Sequence, residues 1–292
     1  MITQAAYPAL EARMRAMAEI FRLPLRNQVW RGLHGQWLGS GTGSSIDFQD
    51  HRPYFPGDDP RAIDWQVYAR SGHYSLKLYR EEVSPGIDLA LDVSASMFLT
   101  PAKAERALEL FAFAVASARR QGLLRCYLVG GHGVTPVAAE AAGAWAPVRE
   151  AVEAAREAPP SPAPPALEAI PWRGGALRVW ISDLLFEGAP ALAPLAAGRG
   201  RGVVLAPYCR EEAAPEWSGN LDLLDCESGR HRDQSVDPGL LARYREAYER
   251  HFTLWREHAR RLGIALARVA SEPPFAEALN EEALPHGAVE IA

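Results

Sequence analysis

The sequence predicts an α/β fold: a three-layer, mostly parallel sheet behind an irregular, β-containing N-terminal extension. Three observations lead there. Continuous apolar runs at 87–93 (IDLALDV), 176–185 (ALRVWISDLL) and 202–208 (GVVLAPY) read as strands buried on both faces. Amphipathic segments with helical spacing alternate with these runs, as in βαβ units. Two of the runs carry a carboxylate at or near their ends, Asp92 and Asp183, where a parallel sheet presents its ligand-binding edge.

Taken in order, residues 8–22 place Leu10, Met14, Met17 and Phe21 on one helical face. Residues 32–45 are glycine-rich and read as a flexible loop, and 46–72 mix Pro, Asp and Arg without a period. Residues 74–80 alternate like a strand, and Ser84-Pro85-Gly86 reads as a turn. After the strand at 87–93, Thr100-Pro101 is an N-cap followed by proline at the first helical position. The apolar stripe Ala104, Ala107, Leu108, Phe111, Val115 and Ala118 follows, with Gly122 closing the helix as its C′ residue. A strand at 123–129, an edge strand near 134–140 and a helix near 145–158 come next. Residues 159–165 (PPSPAPP) form a stiff connector. A helix near 189–198 separates the runs at 176–185 and 202–208. Two short polar strands flank Ser228-Gly229, Asp237-Pro238 starts a long helix, and 264–270 is a last strand. The expected division is an extension over 1–83, the α/β core over 84–275 and a tail over 276–292.

Composition narrows the function. The 292 residues carry 31 Lys and Arg against 36 Asp and Glu, a formal charge of −5 that gives no electrostatic reason to expect nucleic acid. The three cysteines, Cys126, Cys209 and Cys226, match neither a disulfide framework nor a zinc pattern and read as reduced thiols. No apolar run approaches the ~20 residues of a membrane span, and the first residues do not read as a signal peptide. The expectation is a cytoplasmic protein. Gly39 to Gly43 lacks the lysine of a P-loop, so any ATP hydrolysis would fall to a partner.

Asp92-Val93-Ser94-Ala95-Ser96 follows the first core strand. One carboxylate and two hydroxyls make a hard-oxygen set suited to Mg²⁺ or Mn²⁺, and Asp183 ends a second strand able to reach the same ion. These residue types in this setting resemble the metal-ion-dependent adhesion site of von Willebrand A domains. The resemblance implies a von Willebrand A/Rossmann-like core and an ion whose open position takes a partner's carboxylate. Such sites also draw a threonine from an intervening loop. Pro165 stands there in this chain, and Ser161 is the nearby hydroxyl, so Ser161 or water would complete the site unless it is empty.

Residues 47–70 hold a second pattern, built on Arg52, Tyr54, Pro56, Gly57, Asp58, Asp59, Pro60, Arg61, Ile63, Asp64, Trp65, Ala69 and Arg70. With the D-x-S-x-S that follows, it closely resembles the DUF58 family. That resemblance implies a protein-interaction adaptor, not an enzyme, working with a MoxR-type AAA+ ATPase in assembly, maturation or stress response. Physically, Pro56-Gly57 is a turn, and Asp58 and Asp59 can cap backbone donors or pair with Arg52, Arg61 or Arg70. Trp65 is the expected apolar anchor. The motif reads first as an ion-pair knot and second as a partner-binding surface. Two other readings stand beside the adaptor. One is a structural domain with a degenerate metal site. The other is a metal-dependent hydrolase, with His132 as general base. His251, Trp255 and His258 lie along one helix and read as packing and surface.

Overall fold

The structure is a computed structural model, and it describes residues 6–25, 46–81, 86–131, 133–138, 140–157, 164–186, 188 and 191–292. In chain order its elements are α1 (Tyr7–Met17), β1 (Phe21–Arg22), β2 (Ile46–Pro53), α2 (Trp65–Ser71), β3 (Ser75–Glu81) and β4 (Gly86–Asp92). Then come α3 (Pro101–Gln121), β5 (Leu123–Gly130), β6 (Gly133–Val137), α4 (Trp145–Glu157), β7 (Leu177–Ile181), α5 (Ala193–Ala196) and β8 (Arg201–Tyr208). The chain closes with α6 (Arg210–Ala213), β9 (Gly219–Leu224), β10 (His231–Val236), α7 (Pro238–Arg261), β11 (Ala265–Ala270), α8 (Phe275–Ala278) and β12 (Glu290–Ile291).

The chain divides into two compact units, one of Met1–Arg26 with Pro85–Ala292 and one of Asn27–Ser84. The expected boundary is therefore corrected, because the first helix belongs to the larger unit. There α1 packs on α3, and the Leu23 amide donates to Ser117 Oγ at 2.9 Å. The expected tail is corrected as well. Residues 275–292 form α8, a π turn over Leu279–Ala283 and β12, which pairs with β1. Leu279, Ala283 and Ala288 of this segment are fully buried.

The larger unit is built on a six-stranded sheet in the order β11-β8-β7-β4-β5-β6, parallel except for β6 at one edge. Strict alternation sends neighbouring side chains to two cores. Leu89 and Leu91 of β4, Val179 and Ile181 of β7, and Val203 and Leu205 of β8 join one cluster with α1 and α3. Ala90, Trp180, Val204 and Ala206 join the other, covered by Tyr248, Phe252, Trp255 and Ala259 of α7. With both faces covered, the strands read as unbroken apolar runs.

Local chemistry explains the helix starts. Thr100 accepts from the Lys103 amide, and Asp237 accepts from the Leu240 amide at 2.6 Å. Gly122 ends α3 with φ 179, in extended backbone, so no left-handed glycine is used there. The helix expected near 189–198 shrinks to α5 and a following 3-10 turn over Ala197–Arg199, with Gly198 in left-handed backbone inside that turn.

The smaller unit is a β2–β3 antiparallel pair with α2, so part of the supposedly irregular stretch at 46–72 is regular. Its described core includes Ile63, bridged to Leu76. The glycine-rich segment at 32–45, the turn at Ser84 and most of the 159–165 connector lie outside the described residues.

Candidate functional site: two strand ends around a buried carboxylate

β4 and β7 are parallel neighbours with Leu91 opposite Ile181, so Asp92 and Ser182 leave the sheet side by side. The Ser182 hydroxyl donates to Asp92 Oδ2 at 2.7 Å, and the Ser94 amide donates to Asp92 Oδ1 at 2.9 Å. The turn that follows brings the hydroxyls of Ser94 and Ser96 to 3.3 Å from each other. Asp92, Ser94, Ser96 and Asp183 are all buried. The structure thus brings the four expected residues to one end of the sheet. Ser161, the expected completing hydroxyl, and His132, the alternative base, lie outside the described residues.

Asp183 is engaged differently from the expectation. Its Oδ2 accepts from Lys103 Nζ at 2.7 Å, and its Oδ1 accepts from the Leu185 amide at 3.1 Å. Lys103 is fully buried and also pairs with the Glu212 carboxylate. Burial alone would lower its ammonium, but the charges of Asp183 and Glu212 outweigh that and hold it above its ordinary value. Asp183 is therefore paired with a lysine as its counter-ion. The next residue, Leu184, takes a left-handed φ of 62. Its amide donates to Ser182 Oγ at 3.2 Å, and its carbonyl lies 2.7 Å from His251 Nε2, which gives His251 its packing role.

Asp92 has no basic partner among the described residues. Burial, and then repulsion from Asp183, push its carboxyl up to about 7 against the hydrogen bonds from Ser182 and Ser94. An uncompensated buried carboxylate beside two converging hydroxyls is a hard-oxygen donor set, and it fits Mg²⁺ or Mn²⁺. Among the described residues no three His, Cys, Asp or Glu side chains are grouped to hold a metal, so such a site leans on the serines.

Two participants are absent from the sequence expectation. Lys103 continues the apolar stripe of Ala107, Leu110 and Ala114, all buried, and that placement is a visible signal. Glu227 comes from the turn between β9 and β10, and its Oε1 accepts from the Ser96 amide at 2.8 Å. No local pattern joins residues 131 positions apart.

In the smaller unit the second motif forms an ion-pair and capping knot. Arg52 grips Asp58 through two bonds of 2.8 and 2.7 Å, and the Phe55 amide donates to Asp58 at 2.9 Å. These hydrogen bonds, the one from Arg52 foremost, hold the Asp58 carboxyl below its ordinary value. Asp59 caps the Arg61 amide at 2.9 Å. Asp64 caps α2 through the Gln66 and Val67 amides and meets His51 at 2.9 Å. Arg70 Nε donates to the Gln66 carbonyl at 3.2 Å. Trp65, the expected apolar anchor, is 59% exposed, with its ring perpendicular to those of Tyr68 and Tyr74. Tyr54 meets Tyr74 edge-on at 6.3 Å.

Comparison with known proteins places these features in a family. Uncharacterized proteins of Mycobacterium tuberculosis (strain ATCC 25618 / H37Rv) and Mycobacterium bovis (strain ATCC BAA-935 / AF2122/97) are each 29% identical over 261 residues, 84% of this chain and 79% of theirs. Among solved structures, the conserved hypothetical protein BatB from Bacteroides thetaiotaomicron matches 68% of this chain and 95% of its own. Its identity is 12% and its TM-score 0.33, too low to transfer a fold. No helix among the described residues is long and apolar enough to cross a membrane. The family model described as "Protein of unknown function DUF58" matches residues 50–257, and by that match this chain belongs to the DUF58 family.

Proposed function

We propose that the chain is a non-catalytic, cytoplasmic protein-interaction adaptor with a three-layer core of the von Willebrand A/Rossmann-like kind. In this reading it works beside a MoxR-type AAA+ ATPase in assembly, maturation or stress response. One observation carries the proposal: Asp92 is wholly buried at the strand ends, beside two serine hydroxyls, without a basic partner among the described residues. Burying such a charge is unfavourable unless a proton or a cation joins it. Asp92, Ser94 and Ser96 would hold Mg²⁺ or Mn²⁺, and the bound ion supplies a coordination place for a partner's carboxylate. Ser182 and the Ser94 amide orient Asp92. Asp183, neutralised by Lys103, contributes shape more than ligation.

A second reading has its own support. Lys103, buried at this end of the sheet, already supplies a positive charge to Asp183 and Glu212, as a structural domain with a degenerate site would have. Calorimetric titration of the full chain with Mg²⁺ and Mn²⁺, and affinity capture with wild type and Asp92→Ala, decide between them. The adaptor reading expects heat and a thermal upshift with wild type only, and one specific partner lost with the variant. No heat and no upshift at millimolar ion would favour the structural reading. A set of captured partners that Asp92→Ala leaves unchanged would move the interaction to the 52–70 motif.

A further inference from the structure

We propose that the cleft between α1, α3 and residues 271–276 is a docking site for a peptide segment that carries a basic side chain beside an apolar one. The proposal does not rest on the strand-end cation. The cleft measures about 530 Å³, within the roughly 300–1,000 Å³ of ligand sites. All of its walls belong to the larger unit. Met17, Pro273, Pro274 and Phe275 give it apolar surface, and a methionine thioether adapts to side chains of several shapes.

Arg106 makes the polar demand. Its side chain is 3% exposed, and its Nε and Nη1 have no hydrogen-bond partner among the described residues. Nη2 donates to the carbonyl of Pro273 and, at 3.4 Å, to that of Ser271. The guanidinium carbon lies 5.3 Å from the centre of the Phe275 ring. Glu109 Oε2 stands 3.4 Å from Nη1, near enough to balance charge but without hydrogen-bond geometry. Buried donors in this condition destabilise the fold, and an acceptor carried in by a guest relieves them. Both donors are closed to water where they stand, so the guest meets them as the Pro273 wall gives way to it.

Charge selects the kind of acceptor. The cleft is lined by three acids, Glu105, Glu109 and Glu272, against two cations, Arg13 and Arg106. A carboxylate entering here meets like charge, so the acceptor is a neutral peptide carbonyl. Arg13 shows what the acids take: its Nη2 reaches from α1 to Glu105, at 3.4 Å, and to Glu109. Arg13 and Glu105 are 53% and 51% exposed, and an ion pair at such a surface is held weakly, so it yields to a guest's guanidinium or ammonium. One short basic and apolar segment meets all three demands, with a carbonyl for Arg106, an apolar side chain for Met17 and Phe275, and a cation for Glu105.

The test follows the amide NMR signals of Glu105, Glu272 and Ala276, and the Nε–H signal of Arg106, in the full chain. The probe is acetyl-Leu-Arg-Leu-amide, with acetyl-Leu-Glu-Leu-amide and acetyl-Ser-Arg-Ser-amide as controls. The probe should move all four signals saturably. Each control should bind at least about tenfold more weakly, the first through like charge and the second through lost apolar burial. Glu105→Lys, at a half-exposed position, should reverse the order of the arginine and glutamate peptides. Ala102→Phe, which fills the cleft from an exposed position on α3, should abolish binding. No saturable shift at millimolar probe overturns the proposal. So does equal binding of the glutamate peptide, binding that survives Ala102→Phe, or saturation that leaves the Arg106 Nε–H signal unmoved. Equal affinity for free arginine amide would make the cleft a small-molecule site and overturn the peptide assignment.

Discussion

Lys103 and Asp183 form a salt bridge sealed from solvent, 2.7 Å long, with side chains 0% and 1% exposed. The pair separates two carboxylates that look equivalent in the sequence. Asp183 is matched by a lysine, whereas Asp92, one strand away, is matched by hydroxyl and amide donors only. The strand-end site is therefore asymmetric, and its demand for positive charge lies on the Asp92 side.

Removing one partner of a buried pair leaves the other charge stranded. Lys103→Met should destabilise the larger unit by about 3–5 kcal/mol, the range measured when one member of a buried ion pair is deleted. Adding Asp183→Asn should recover part of that loss. Equilibrium urea unfolding of the two variants checks both statements. A single variant as stable as wild type would contradict the burial described for this pair.

The Asp92 carboxyl sets a pH dependence whose sign is fixed. Its folded value is raised from 3.8 to about 7, so between those values the native state holds a proton that the unfolded state has released. Stability contributed by this group is present below the lower value and falls as pH rises toward 7. Melting curves in chelator should decline across this window for wild type and less steeply for Asp92→Asn. Identical slopes would show that the group titrates normally.

In the smaller unit, Asp64 accepts from two amides at the start of α2. Asp64→Ala should cost about 1 kcal/mol, the usual loss for an N-cap, and Asp64→Asn less. Amide hydrogen exchange at Gln66 and Val67 reads the effect directly. Exchange in Asp64→Ala should quicken at these two positions first.

Packing gives a prediction that involves no charge. A Cβ on Gly202 in β8 would lie 2.7 Å from Ile264 Cγ1 and 3.0 Å from Leu195 Cβ. The close approach of α5 and of Ile264, just ahead of β11, to this strand depends on that missing atom. Gly202→Ala should destabilise by about 1–3 kcal/mol, the common result of overpacking a filled core. Thermal melting measures it, and a neutral outcome would mean that Ile264 can swing aside.

The central strands are legible because burial on both faces leaves an unbroken apolar signature that needs no partner to be recognised. Asp92, Ser94, Ser96 and Asp183 are legible because each ends or follows such a strand. Lys103 is harder to read because a lysine on a helix ordinarily reaches water; only its place on the stripe with Ala107 and Leu110 betrays it. Glu227 is unreadable because its contact with Ser96 is made by the fold alone. The last residues look like a tail because a π turn at Leu279–Ala283 breaks the 3.6-residue period that marks a buried helix. Trp65 looks like an anchor because size suggests burial, while Ile63 and Leu76 take the inward positions.

β4 carries another acid four residues before Asp92. Asp88 is equally hidden, yet Arg173 meets it through its backbone amide and its guanidinium at 2.7 Å, and the same guanidinium holds the carbonyls of Ile87 and Leu123. One strand therefore begins at a carboxylate clasped by a guanidinium and ends at one held by hydroxyl and amide donors alone. Through the Ile87 and Leu123 carbonyls the same side chain ties β4 to the start of β5, so the near end of the sheet is fastened by a residue that takes no part in the far end.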